Sequence, residues 1–154
     1  MSETPVELNE AKCAEAANSC VCFNLRKASR AVTKLFDEAL QPTGLRSTQF
    51  VTLLAVHLHQ SIGLPALAKE LVIDRSTLTR NLAVLQKNDL VESNSPNGKR
   101  SRVFQLTNEG CMALSMGLPL WEKTQNNFVT HFGAEKWENT LSFLSEATNT
   151  AQRL

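Results

Sequence analysis

Apolar residues recur at steps of three and four along most of the chain, a spacing that places them on one face of an α-helix. The first such run extends over about residues 14–40 and predicts one long amphipathic helix that ends before Pro42 and Gly44. A second helix is expected from Ser47, a residue type favoured at the N-cap, until Gly63 interrupts it. The first third of the chain is therefore predicted to be helical.

Two short apolar stripes follow each other closely in the centre of the chain. The second of them carries Leu78, Leu82 and Leu85 at the spacing of one helix face. The connection between the stripes, residues 72–74, is only a few residues long, and Asp74 is a residue type that caps a following helix. Two short helices joined by so tight a turn predict a helix-turn-helix.

Strand and turn signals replace the helical pattern after this motif. Residues 90–92 and 103–107 are strand-like, and the residues between them are rich in Ser, Asn, Pro and Gly. This pattern predicts a β-hairpin, the wing of a winged helix-turn-helix, and two further helical stretches are expected beyond Gly110. The predicted fold class is therefore mainly α with a small β-hairpin wing.

Composition limits the possible classes of protein. The chain has 154 residues, of which 42% are hydrophobic and 20% charged, values that suit one globular domain. Its first residues are acidic and polar instead of basic, and no apolar run approaches the roughly 18 residues that span a bilayer. We therefore expect a cytoplasmic protein with no membrane partner, whose four cysteines are reduced.

Basic residues are concentrated in one segment. Residues 75–102 hold six Lys or Arg and two Asp or Glu, whereas the rest of the chain holds ten basic and thirteen acidic residues. A single Arg would suggest only solvated surface, but a basic helix-turn-helix with a basic wing is typical of a DNA-binding face. The predicted DNA-binding residues are Arg75, Ser76, Thr77, Thr79, Arg80, Lys99, Arg100 and Arg102.

The same region resembles the MarR family of winged-helix regulators. The supporting stretches are residues 67–71, 74–82, 90–92, 99–102 and 106–110, and the helical framework around them extends the similarity to about residues 14–150. Of the predicted contacts, the resemblance singles out Arg80 and Arg100. Gly98 stands where the family usually has an Asp that orients the wing arginine, so the role of Arg100 is the less secure of the two.

The resemblance implies a single domain over residues 1–154 that forms a homodimer. Residues 14–40 and 111–150 would be the N- and C-terminal dimerisation helices, and residues 47–110 the winged helix-turn-helix DNA-binding region. Each copy would bind one half of a near-palindromic operator in double-stranded DNA, and most members of the family repress transcription.

The cysteines near the N-terminus suggest a regulatory site. The run that begins with Cys22 is similar to the organic-peroxide-sensing branch of the family, in which a cysteine at this place is the oxidisable thiol. A second hypothesis is that Cys13, Cys20 and Cys22 together offer three sulfurs to a soft metal, or that Cys20 and Cys22 exchange with a small disulfide or persulfide. Two departures from that branch are the absence of tyrosine and of a resolving cysteine in the C-terminal helices, since Cys111 lies just after the wing.

Other possibilities remain open from the sequence. An alternative is release by a small anionic aromatic ligand, with inert cysteines. Its pocket would be lined by Trp121, Phe128, Phe132 and Trp137, although aromatic residues at helical spacing more often form a core or a dimer interface. His57 and His59, two residues apart on a helix, make a poor zinc pair, and we expect no metal site and no cofactor.

A thiol peroxidase at Cys22 would need a Cys–His pairing that the sequence does not indicate, so we expect no enzyme. A winged helix used only for protein contacts would show no salt-dependent DNA binding.

Overall fold

A computed structural model describes residues 8–95 and 102–154 and confirms a mainly helical fold with a small β-hairpin wing. The helices are α1 (Glu10–Ser19), α2 (Val21–Leu40), α3 (Ser47–His59), α4 (Leu64–Glu70), α5 (Arg75–Lys87), α6 (Asn108–Phe132) and α7 (Ala134–Ala151). The strands are β1 (Ile62–Gly63), β2 (Val91–Asn94) and β3 (Val103–Leu106). No helix in the described ranges is both long and apolar enough to cross a membrane.

The single helix expected over residues 14–40 is wrong, because the helix is broken at Cys20. This residue has an extended conformation, with φ −62° and ψ 117°, that ends α1 and lets α2 begin at Val21. The Asn24 carboxamide donates to the carbonyl oxygens of Asn18 and Cys20 at 3.2 and 2.9 Å. These side-chain bonds compete with the helical ladder, which explains why the apolar periodicity alone did not reveal the break.

The chain divides into two compact units, and the boundary falls inside α2, after Leu35. The second unit contains the hydrophobic core, which is built on the inward faces of α3, α4 and α5, the sheet, and the first half of α6. Its most deeply buried side chains are Phe50, Leu40, Leu53, Leu67, Leu78, Leu82, Leu85 and Val56. The predicted division of the chain into a DNA-binding region and dimerisation helices stays a prediction.

The sheet has three antiparallel strands in the order β1–β3–β2. The hairpin pairs Val91 with Leu106 and Asn94 with Val103, which confirms the wing. The strand β1 was not predicted, because two residues are too few to show a periodicity. It pairs Ile62 with Phe104 and thereby fixes the wing to the end of α3.

The start of α3 is capped by an acidic residue from the preceding helix. Ser47 is the first helical residue and not the N-cap as expected, and Arg46 occupies the cap position. The Ser47 N–H donates to Asp37 Oδ1 at 2.7 Å, and Arg46 Nη1 lies 3.5 Å from Asp37 Oδ2. The hydrogen bond from the Ser47 N–H is the largest contribution that lowers the pKa of Asp37 below its ordinary value of 3.8.

Replacing Asp37 with alanine is expected to lower the free energy of unfolding by about 1–2 kcal/mol at neutral pH, the usual cost of a lost helix cap. The folded state lowers the pKa of Asp37, so the charged carboxylate stabilises the fold above the ordinary carboxyl pKa. This contribution is lost as the pH falls through the lowered pKa. Urea unfolding of both proteins between about pH 7 and pH 3 should therefore show the difference shrinking toward acid.

The matched control for this experiment is Asp37→Asn, which keeps an oxygen acceptor for the Ser47 N–H but removes the charge. Its loss of stability should be smaller than that of the alanine variant. A difference between wild type and the alanine variant that stays constant across the pH series would contradict the assignment of Asp37 as a charged cap.

Candidate nucleic-acid interface

The helix-turn-helix consists of α4 and α5, joined by a turn that begins at Leu71 and ends at Asp74. Val72 turns the chain in the left-handed conformation at φ +51°, which is unusual for a β-branched residue. The turn is closed by the Ile73 N–H, which donates to the Ala68 carbonyl oxygen at 3.0 Å. This arrangement sets the direction in which α5 leaves α4.

Asp74 caps α5, as the sequence predicted. Its Oδ1 accepts from Ser76 Oγ at 2.5 Å and from the Thr77 N–H at 2.8 Å. These two donors, Ser76 first, hold the pKa of Asp74 well below its usual range. The first turn of α5 is therefore held rigidly by a charged carboxylate.

The inward side of α5 anchors the helix in the core, where Leu78, Leu82 and Leu85 are at most 1% exposed. The side of α5 that faces solvent carries Ser76, Thr79 and Arg80, and Arg75 is exposed in the first turn of the helix. Thr77 differs from the expectation because it is half-buried. The structure thus leaves four of the five predicted residues of this helix exposed to solvent.

The hydroxyl groups on this exposed side already donate within the helix. Ser76 donates to Asp74, as described above, and Thr79 Oγ1 donates to the Arg75 carbonyl oxygen at 2.6 Å. The hydroxyl oxygens of Ser76 and Thr79 can still accept hydrogen bonds. Arg80 offers donors, and its Nε lies 3.4 Å from the Ser76 carbonyl oxygen. This contact places Arg80 Nε near the first turn of α5.

The wing contributes one described basic residue, Arg102, which is exposed immediately before β3. Lys99, Arg100 and Gly98 lie outside the described residues. The two strands are tied by their side chains, since Gln105 Nε2 donates to Glu92 Oε1 at 2.5 Å. Gln86 of α5 donates to Ser93 of β2 at 3.2 Å and links the wing to α5.

The four cysteines are free thiols. Cys13 is exposed on α1, Cys22 is exposed on α2, and Cys111 is exposed on α6. Cys20 is partly buried, and its Sγ accepts from the Phe23 N–H at 3.4 Å at the start of α2. Among residues 8–95 and 102–154, no group of three His, Cys, Asp or Glu is placed to hold a metal ion.

The aromatic residues considered for a ligand pocket pack against one another where α6 turns into α7. The rings of Phe128 and Phe132 stack at 5.5 Å, and Trp137 meets them edge-on at 5.8 and 6.4 Å. Sequence reasoning also missed a side-chain hydrogen bond between α3 and α4, in which His59 Nε2 lies 2.5 Å from Glu70 Oε2. Residues eleven apart on different helices give no periodic signal that would reveal such a pair.

Comparison with known proteins agrees with this geometry. The model of the MarR family matches residues 45–101, which cover α3, the helix-turn-helix and much of the wing. A crystal structure of the Mycobacterium tuberculosis transcriptional regulator MosR in complex with DNA is 33% identical, with a TM-score of 0.77. That similarity covers 88% of this chain and 100% of the MosR chain.

Two curated proteins are similar over a shorter stretch. The organic hydroperoxide resistance transcriptional regulator of Bacillus subtilis is 27% identical over 60% of this chain and 63% of its own length. The transcriptional repressor NicR of Pseudomonas putida is 31% identical over 62% of this chain and 61% of its own length. The matched region therefore spans only about three fifths of each curated relative. With the family model and the MosR similarity, the helix-turn-helix and its wing show that this chain belongs to the MarR family of winged-helix transcriptional regulators.

Proposed function

We propose that the protein is a sequence-specific transcriptional repressor that binds a near-palindromic operator in double-stranded DNA as a homodimer. The observation that carries this proposal is the exposed side of α5, on which Arg75 and Arg80 stand next to a rigidly capped first turn. A helix of this kind enters the major groove, where Arg pairs with guanine and hydroxyl oxygens meet bases or phosphates. The DNA complex of MosR and the repressor role of NicR support it.

The homodimer is supported by apolar side chains that a single chain leaves in water. No residue of α1 or α7 is buried, and α2 exposes Val21 and Phe23 by 71% and 50%. Helix α7 exposes Leu141 and Phe143 by 48% and 68%. Apolar surface of this extent on terminal helices is typical of a protein interface. A second copy of the chain is the partner we propose for it.

We propose further that a thiol-based signal at the N-terminal cysteines releases the protein from DNA. Cys22 is exposed on α2 and open to an oxidant or electrophile, and Cys20 stands at the break that begins α2. The similarity to the organic hydroperoxide resistance transcriptional regulator of Bacillus subtilis supports this signal.

A gel shift with DNA from upstream of the protein's own gene tests this function. Reduced protein should bind, treatment with an organic hydroperoxide should release the DNA, and dithiothreitol should restore binding. DNA binding that the oxidant does not change would exclude the thiol signal. Release from DNA by a small anionic ligand would then be the remaining proposal. Absence of binding by the reduced protein would contradict DNA recognition.

Replacing Cys22 with serine should leave operator affinity within about twofold of wild type, because the side chain lies on α2 and not on the exposed side of α5. The same variant should no longer release DNA at hydroperoxide concentrations that free the wild type. Fluorescence anisotropy with a labelled operator measures both properties. Cys13→Ser, another exposed helical cysteine, serves as the control and should respond like wild type. Release of the Cys22 variant by hydroperoxide would exclude Cys22 as the sensor.

A further inference from the structure

A surface groove of about 140 Å³ lies between the start of α3 and one flank of α5. The start of α3 contributes Arg46, Thr48 and Gln49 to its lining, and α5 contributes Asn81 and Val84. None of the described residues that line the groove is acidic. The groove is therefore a concave surface with one cation and several neutral polar groups.

The groove borders the exposed side of α5 on the flank opposite the wing. With 3.6 residues per turn, Asn81 lies about 100° around the helix from Arg80 in one direction, and Gln86 about 120° in the other. Gln86 donates to Ser93 of β2 at 3.2 Å and so marks the flank that faces the wing. Val84 stands one turn after Arg80 and is 48% exposed, so the exposed side of α5 continues into the groove. The exposed side of α5 thus lies between the wing and the groove.

The polar groups at the start of α3 keep hydrogen-bond donors for a ligand. Gln49 Oε1 accepts from the Arg46 N–H at 2.8 Å, so the side-chain amino group of Gln49 is available to donate. The Arg46 side chain is 76% exposed, and its Nη1 lies 3.5 Å from Asp37 Oδ2. This contact involves one nitrogen of a guanidinium that has five N–H donors, and it leaves the remaining donors for an anion. Asp37 itself does not line the groove.

We propose that the groove receives a phosphate group of the DNA backbone, with Arg46 as its cation and Gln49 and Asn81 as neutral donors. A helix in the major groove lies between two sugar-phosphate backbones, which are about 12 Å apart across that groove. The wing borders one flank of α5, and the backbone on the other flank would meet Arg46. Phosphate oxygens only accept hydrogen bonds, which matches a lining that offers donors and no carboxylate. This inference rests on the proposed DNA-binding function and adds to it a contact outside the helix-turn-helix and the wing.

A contact of this kind positions the protein on DNA without reading its sequence, since every nucleotide carries the same phosphate. Arg46 lies outside the basic segment of residues 75–102, so the charge distribution along the chain did not indicate it. The loss of Arg46 should therefore weaken binding to any DNA sequence, whereas the loss of a base-reading residue such as Arg80 should weaken operator binding most.

Replacing Arg46 with alanine in the full-length protein tests the phosphate contact. Anisotropy titrations with the upstream DNA and with scrambled DNA should show the same loss of affinity for both, about tenfold or more at about 0.1 M salt. On logarithmic axes, the dependence of affinity on salt should become shallower by about 0.9 for each chain, or about 1.8 for a homodimer. Arg46→Lys keeps the charge and should keep most of this slope.

A second variant places a negative charge in the groove and leaves Arg46 and the start of α3 unchanged. Asn81→Asp should weaken binding to both DNA sequences by about tenfold or more, because a carboxylate at this place repels the phosphate. Asn127→Asp makes the same change on the exposed surface of α6 and is the matched control. Its effect on DNA binding should be much smaller. Urea unfolding of each variant measures whether the fold is retained.

An Arg46→Ala protein with the affinity and the salt slope of wild type would overturn the proposal, as would an Asn81→Asp protein that binds DNA like Asn127→Asp. A loss confined to the operator would also overturn it, because Arg46 would then read a base and not a phosphate. Wild-type protein that binds no DNA would contradict the proposed function itself. A wild type with a steep salt slope that Arg46→Ala leaves unchanged would contradict only this contact.

Discussion

Replacing Gly110 with alanine should strongly destabilise the winged helix. A Cβ atom at this position would lie 2.0 Å from the Leu90 carbonyl oxygen and 2.9 Å from its carbonyl carbon. Leu90 cannot easily move, because its N–H donates to the Leu85 carbonyl oxygen at 2.9 Å and its own carbonyl oxygen accepts from Thr107. We expect a loss of at least about 3 kcal/mol out of a total stability of about 5–15 kcal/mol.

Thermal unfolding followed by circular dichroism measures this effect, and Gly63→Ala is the matched control. A Cβ atom on Gly63 would meet only ordinary contacts at 3.8 and 3.9 Å, and its φ of −77° suits alanine. The control should therefore keep its unfolding transition close to that of wild type. A Gly110→Ala protein that melts like the control would show that α6 and the start of β2 are not packed as closely as described.

Replacing Arg80 with alanine should weaken operator binding by about 1–3 kcal/mol, or roughly 5- to 150-fold, if this side chain pairs with a base. Arg80 is exposed on α5 and carries no part of the core, so the fold should be unaffected. Affinity for unrelated DNA should fall much less, because that binding rests on phosphates. Anisotropy titrations with operator and with scrambled DNA measure both effects.

The matched control for this prediction is Lys69→Ala, which removes the same charge from the exposed surface of α4. Its effect should be small and equal for the two DNA sequences, since a cation outside the groove acts only through the general field. An Arg80→Ala protein with unchanged operator affinity would remove Arg80 from the set of recognition residues.

The sequence predicted the parts of this fold that depend on local signals. The apolar spacing of Leu78, Leu82 and Leu85 identified the core side of α5, and Asp74 was recognised as its cap. Both signals lie within a few neighbouring residues, where helix geometry determines which side chains share a face. The outward placement of Arg80 followed from the same geometry, whereas Arg75, seven residues before Leu82, is exposed because it lies in the first turn of α5.

The features that escaped the sequence depend on contacts between distant residues. Asp37 caps α3 from ten residues away, and this contact displaced Ser47 from the N-cap position that its chemistry favours. The contact between His59 and Glu70 joins residues eleven positions apart on two different helices. In the same way, the break at Cys20 arises from the Asn24 side chain, which an apolar periodicity does not register.

The most direct test of the account is the salt dependence of DNA binding by the reduced protein. Anisotropy titrations with the upstream DNA at several salt concentrations should show an affinity that falls steeply and linearly on logarithmic axes. A reader with about six to ten phosphate contacts loses about 10³- to 10⁵-fold between 50 and 200 mM salt. Such a slope, with tighter binding to the operator than to scrambled DNA, is the result we predict. No detectable DNA binding, or an affinity that is the same at low and high salt, would contradict the assignment of the exposed side of α5 and the wing as a DNA-binding surface.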